Sequence, residues 1–155
     1  MIIRPATTAD IPDLSRIAAA SYAAAFRAIV GDETLAVRGA AHFADRFSEQ
    51  WPDLRVLELA GEGIAGGRLA GFHEVRGGKL DMLFLHPDFI GQGFGASLLA
   101  DAERQGATRL DCFRDNHAAR RFYERRGWRM VGEFDQPMAG RLFASVAYER
   151  PLIGS

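Results

Sequence analysis

Ile11, Leu14, Ile17, Ala18, Tyr22 and Phe26 recur every three or four residues, the spacing of one face of a helix. Thr7 to Asp10 offers capping chemistry ahead of them, and Pro12 is tolerated in a first turn. Ile2 to Pro5 forms a short strand before this helix, and Gly31 closes the helix or the loop after it. A second helix is predicted from about Thr34 to Gln50, where Leu35, Phe43 and Phe47 are too sparse to cover more than one face. The period then falls to two. Arg55 to Leu59 and Gly67 to Val75 read as strands, with a turn from Gly61 to Gly67 between them. Lys79 to His86 is nearly all apolar, with Asp81 as its one internal charge. A strand without polar alternation is covered on both faces and is therefore central.

The second half alternates helix and strand. Helices are predicted over Ala96 to Gln105 and Asn116 to Arg126, the latter stopped by Gly127. Strands are predicted over Thr108 to Phe113, Trp128 to Phe134 and Leu142 to Arg150, with Asp135 to Gly140 joining the last two. The order β-α-α-β-β-β-α-β-α-β-β specifies an α/β protein, a mixed sheet with helices on its faces. Neither a repeat nor a linker interrupts the 155 residues, which read as a single domain over 1–155.

Composition narrows the function classes. Nineteen Lys and Arg against 20 Asp and Glu leave a net charge of −1, which argues against a nucleic-acid partner. The dense arginines from Arg104 to Arg129 are interleaved with acids and read as a solvated face, with Arg120 or Arg125 placed to meet a phosphate. One cysteine, Cys112, excludes an internal disulfide and fits a reducing compartment. No long apolar run predicts a membrane span, and the N-terminus does not read as a signal peptide. A cytoplasmic protein is expected. The four histidines lack metal-ligand spacing, so no metal is expected, and nothing local supports a Cys–His nucleophile.

Chemistry concentrates in two stretches. After the apolar strand come Gly91, Gln92, Gly93, Phe94, Gly95 and Ala96, leading into a helix. Glycines allow close backbone approach, and a helix N-terminus presents free amides to a phosphate. The spacing is neither the dinucleotide pattern nor a P-loop, which needs a following Lys. On its own the loop reads either as a phosphate cradle or as a tight turn. The second stretch, Asn116 to Trp128, has the form N-x-x-A-x-x-F-Y-x-x-x-G-W and is far more specific.

Together these stretches resemble the GCN5-related N-acetyltransferase (GNAT) superfamily. Leu85-His86-Pro87 followed by the glycines is similar to that family's acetyl-CoA pyrophosphate loop, and Asn116 to Trp128 to its second motif. The resemblance spans about residues 2 to 150 and implies a mixed, mostly antiparallel central sheet with helices on both faces. One position departs from the pattern: Ile90 stands where the family has Gln or Arg, which removes a side-chain contact and no backbone amide. The resemblance implies that the backbone of Leu83, Phe84 and Leu85 pairs with the pantetheine arm, that Gly91 to Ala96 cradle the pyrophosphate, and that Asn116 hydrogen-bonds the pantetheine. It places Tyr123 near the thioester sulfur and opens a slot between the strands around Leu83 and Cys112.

Acetyl transfer to an amine requires a neutral amine, a donor for the oxyanion and a proton for the departing thiolate. A backbone N–H from Leu83 to Leu85 suits the second need. Tyr123, protonated at neutral pH, suits the third as general acid; otherwise it is a packing residue beside Phe122. For the base, the family's usual Glu position is Lys79 here. Asp81, two residues along the strand, and Asp111, five before Asn116, are the candidates, and Asp81 is preferred because a charge on a buried strand needs a reason. The expected function is acetyl-CoA-dependent N-acetyl transfer to a primary amine of a small molecule or peptide. The alternative is a non-catalytic acyl-CoA-binding or sensing module. Tyr22, Phe26, Phe43, Phe47 and Trp51 either build core or shape the acceptor pocket. The acids Asp32, Glu33, Asp45, Glu49, Asp53, Glu58 and Glu62 tilt the expectation toward a cationic acceptor. Edge strands near the C-terminus leave room for a homodimer, with no residue that specifies one.

Overall fold

The computed structural model describes residues 1–60 and 68–151, so the turn expected at Gly61 to Gly67 lies outside the described residues. The chain runs β1 (Ile2–Pro5), α1 (Ile11–Ala36), α2 (Ala40–Gln50), β2 (Leu54–Leu59), β3 (Arg68–Arg76), β4 (Lys79–Leu85), α3 (Phe94–Arg104), β5 (Arg109–Phe113), α4 (His117–Glu124), β6 (Arg129–Met138) and β7 (Arg141–Glu149). This is the expected element order. All seven strands form one sheet, ordered β1-β2-β3-β4-β5-β7-β6. Every neighbouring pair is antiparallel except β4 and β5. The apolar β4 is the fourth strand, as coverage on both faces requires.

Helices α1 and α2 cover one face. Leu14, Ile17, Tyr22, Phe43 and Phe47 pack there on Val56, Phe72 and Met82. On the other face α3 and the chain around α4 bury Leu99, Ala102 and Trp128 against Leu80, Leu110, Val146 and Tyr148. Asp101 of α3 is buried here, with its carboxylate 2.7 Å from both Arg55 Nε and His73 Nε2, which ties α3 to β2 and β3. Among the described residues no helix is long and apolar enough to cross a membrane.

Three departures from the sequence reading matter for the site. The helix expected from Thr34 starts at Ala40. Gly31, at φ 81° and ψ 165°, breaks α1 after Val30, and the chain resumes helix only to Ala36 before Gly39, in extended geometry, opens α2. Arg38 therefore sits at a corner. Second, the joining segment expected at Asp135 to Gly140 is mostly strand. β6 pairs with β7 as far as Met138, and a two-residue turn at Ala139 and Gly140, φ 51° and 76°, reverses the chain. Pro137 fits because β6 is an edge strand and its missing N–H breaks no second ladder. Third, the register of β3 against β4 slips, with Glu74 opposite Met82 and Val75 opposite Leu80, so Asp81 has no opposite residue. This bulge breaks the alternation. Leu80 joins the core under α3 while Met82 joins the core under α1. Lys79 and Asp81 lie on either side of the break, and both line the cleft described below.

Candidate active site

β4 and β5 share only two register pairs, Lys79 with Arg109 and Leu80 with Leu110. Beyond them β5 stays paired with β7 while β4 stays paired with β3, and the strands part. A cleft of about 890 Å³ opens at the seam, lined by residues of β4, β5, α1, α2, α4 and β6.

The β4 wall follows from strand alternation. His86 N–H donates to the Ala70 carbonyl at 2.8 Å, and Phe84 stands opposite Phe72, so the backbone polar groups of Phe84 face β3. Those of Leu83 and Leu85 therefore face the seam. The Leu85 carbonyl accepts from the Ser21 hydroxyl, whereas Phe84 contributes its ring to the cleft.

At one end of the cleft the chain turns into α3. Gly91 and Gly93 adopt φ 86° and 84°, which a side chain would strain. Ser97 N–H donates to the Gly93 carbonyl at 3.2 Å. The amides of Gly91, Gln92, Gly93, Phe94, Gly95 and Ala96 have no such partner among the described residues. Gly91, Gln92 and Gly93 are exposed, Ile90 and Gly95 line the cleft, and Phe94 packs edge-on against Phe89, with ring centres 6.3 Å apart. Six free amides at a helix start form an anion cradle, so these residues fit a pyrophosphate.

Asn116 caps α4. Its side-chain oxygen accepts from Ala119 N–H at 3.2 Å, which leaves the amide NH₂ to the cleft it lines. Two turns on, Tyr123 packs its ring against Phe122, Trp128 and Tyr148, and it too lines the cleft. Its hydroxyl has no hydrogen-bond partner among the described residues. Burial, with a smaller effect of nearby Cys112, raises its pKa, so the phenol stays protonated well above neutrality. Burial likewise pushes the Cys112 thiol up to about 11, so it stays protonated and is a poor nucleophile at neutral pH. Arg120, one of the two arginines considered for a phosphate, donates instead to the Tyr148 hydroxyl and the Arg114 carbonyl, both at 3.0 Å.

Both candidate carboxylates line the cleft but differ in company. Asp111 pairs with Lys79 at 2.8 Å, while Asp81, at the bulge, has no ionic partner among the described residues. Tyr22, Phe26 and Phe43 reach the cleft; Phe47 is core and Trp51 packs beside it. None of the described acids expected to favour a cationic acceptor (Asp32, Glu33, Asp45, Glu49, Asp53 and Glu58) lines the cleft, and Glu62 lies outside the described residues. Arg38, His42 and Arg46 line it instead, so those acids do not set the charge of the cleft.

Sequence reasoning missed these three and Glu74. The four-residue spacing of Arg38, His42 and Arg46 is a helix-face signal that a count of acids hides. Glu74 is fully buried on β3, with Oε1 3.2 Å from Arg46 Nη2 and Oε2 unpartnered. Burial raises its pKa, against the pull of Arg46. A charge two residues after Phe72 on an inward phase could have flagged it. Gln136 to Met138 of β6 also line the cleft, and the Tyr22 hydroxyl lies 3.2 Å from Met138 Sδ. The misplaced joining segment concealed them.

Comparison with known proteins agrees with this architecture. The family model described as acetyltransferase (GNAT) domain matches residues 51–130, and the chain belongs to the GNAT family. Its fold is similar to that of a GCN5-related N-acetyltransferase from Rhodopseudomonas palustris, 25% identical with a TM-score of 0.72, covering 97% of this chain and 95% of that one. It is also similar to apo YjaB from Escherichia coli, at 21% identity and TM-score 0.74 over 100% of both chains. A third likeness is to PaiA N-acetyltransferase from Thermoplasma acidophilum, solved in complex with coenzyme A, at 19% identity and TM-score 0.64 over 97% of this chain and 98% of that one. No curated protein matches the sequence significantly.

Proposed function

We propose that the protein transfers the acetyl group of acetyl-CoA to a primary amine of a small molecule or peptide by direct attack on the thioester. The observation that carries this reading is the seam. Among the described residues it runs from free amides at the start of α3, past the seam-facing backbone of Leu83, to an unpartnered tyrosine hydroxyl and a carboxylate with no ionic partner. The coenzyme A bound in the PaiA relative fits the same reading.

Gly91 to Ala96 would hold the pyrophosphate through their amides, with no side chain needed, so Ile90 costs little. Leu83 and Leu85 would pair the pantetheine arm as an added strand, and the Asn116 NH₂ would donate to it. Bound acetyl-CoA supplies an activated acetyl thioester. The Leu83 N–H, already turned to the seam, would donate to the thioester oxygen as charge develops there. Asp81, free of a counter-ion, would take the proton from the incoming ammonium, directly or through water. As the C–S bond breaks, Tyr123, kept protonated by burial, would give its proton to the departing sulfur and recover one from the acylated nitrogen, which loses its second proton as the amide forms.

Free-thiol release from acetyl-CoA, scanned over amines, amino acids and N-terminal peptides, tests this. Release that depends on an acceptor supports the transferase. Tight calorimetric binding without release from any acceptor would replace it with a sensing module.

A further inference from the structure

The charges of the cleft are not balanced one by one. Lys79 is neutralised by Asp111 at 2.8 Å, and Arg46 by buried Glu74 at 3.2 Å. Two lining groups keep no ionic partner among the described residues: the Arg38 guanidinium and the Asp81 carboxylate. They belong to different walls. Asp81 stands at the β4 bulge beside the seam. Arg38 stands at the corner before α2, half-buried, with a single long hydrogen bond of 3.4 Å to its neighbour's carbonyl at Val37.

The surroundings of Arg38 do not compensate its charge. His42 and Arg46 follow at four-residue steps and line the same wall. Burial and the two flanking arginines keep His42 uncharged, against a smaller pull from exposed Asp45. It is therefore an N–H donor and not a counter-charge. Tyr22, whose hydroxyl donates to Met138 Sδ, lines the same cleft and adds another neutral polar group. An arginine fork in a half-buried wall with only neutral donors beside it matches an incoming carboxylate. A wholly neutral amine would leave that fork unpaired on filling the cleft, and a polycation would bring a further positive charge to it.

We propose that the acceptor is a small amine that itself carries a carboxylate, with the carboxylate on Arg38 and His42 and the amine beside Asp81. This rests on the transferase reading and names its substrate class. It adds a carboxylate to the cationic amine expected from the acids of the sequence.

The test compares matched acceptors on the purified protein: L-α-amino acids, ω-amino acids of increasing length, and the carboxamide of each. At least one carboxylate should exceed its own carboxamide in kcat/KM by roughly 10- to 100-fold, the worth of a charge-assisted hydrogen bond. Arg38→Gln should bring that ratio close to one by raising KM, with acetyl-CoA affinity by calorimetry unchanged. Arg38→Lys should keep part of it. The wild-type comparison stands even if a variant fails to fold. Carboxamides or N-terminal peptides used as well as or better than the carboxylates, or discrimination that survives Arg38→Gln, would overturn the proposal and leave the transferase standing. Absence of thiol release with every amine, charged or neutral, would overturn both.

Discussion

Lys79 Nζ lies 2.8 Å from Asp111 Oδ2, bridging β4 and β5 at their last shared rungs before the strands separate. The contact commits Asp111. An Asp111 oxygen already engaged by an ammonium is less available to an incoming amine, whereas Asp81 has no ionic partner among the described residues. Asp81→Asn is therefore expected to lower kcat by about 100-fold or more, the usual scale of a positioned base. Asp111→Asn should cost less than about tenfold, because a half-exposed pair contributes little. Steady-state rates of both variants with one acceptor decide between them. Equal losses would remove the distinction.

Tyr123→Phe removes the proton donor and keeps the ring packing against Trp128 and Tyr148. A loss in kcat of about 100-fold or more is expected, with little change in melting temperature. Because the pKa of Tyr123 is raised, its acid form persists through mildly alkaline pH. The wild-type rate should show no alkaline fall up to about pH 10, the ordinary value for tyrosine. A fall beginning near pH 8 that disappears in the phenylalanine variant would contradict this.

Gly71 lies where β3 crosses the end of β4. A Cβ there would stand 2.5 Å from the Phe84 carbonyl oxygen and 2.8 Å from Leu85 Cδ2. Since the oxygen is backbone, the strand itself must shift. Gly71→Ala should destabilise by roughly 1–3 kcal/mol in urea titration. It should also raise KM for acetyl-CoA, since Leu85 and its neighbours form the wall of the seam.

Buried His73 provides an acid limb of stability. Burial lowers its pKa below 6.5 despite the hydrogen bond to Asp101. The unfolded chain therefore takes up a proton near pH 6.5, and the folded one only at lower pH. Stability is full above that value and is lost as pH falls through the folded pKa. His73→Gln should flatten this part of a melting-temperature profile taken between about pH 5 and 8. The lowered pKa of Asp101 adds a separate loss below 3.8 that the variant retains only in part, since its imidazole partner is gone.

Much of this architecture was legible because the signals were local. The unbroken apolar run of β4 announced a central strand, and Asn116, Phe122, Tyr123 and Gly127 marked a capped helix and its end. What escaped was set by tertiary geometry. The bulge at Asp81 arises from a mismatch with β3, which the sequence of β4 alone does not carry. Gly31 was visible as a breaker, but whether helix resumed before Gly39 depended on packing. Arg38, at the corner before α2, and Arg46, within it, carry no local mark in the sequence that they face the seam. Glu74 looked like one polar residue in a strand and proved to be a buried partner for an arginine 28 positions earlier.

The two-rung joint between β4 and β5 has a mechanical meaning. On one side of it stand β1 to β4, knit by antiparallel ladders; on the other stand β5, β7 and β6, knit the same way. The sheet is two plates riveted at one end, and the open end is where backbone groups wait for a partner. An occupant that spans the gap works as a brace. Melting temperature should climb with acetyl-CoA concentration, by about 2.7 kcal/mol of added stability at a hundredfold excess over its Kd. The amides of Leu83 and Leu85 should be among those whose exchange slows most. Part of the rigidity of this protein would then arrive with its substrate and depart with the product.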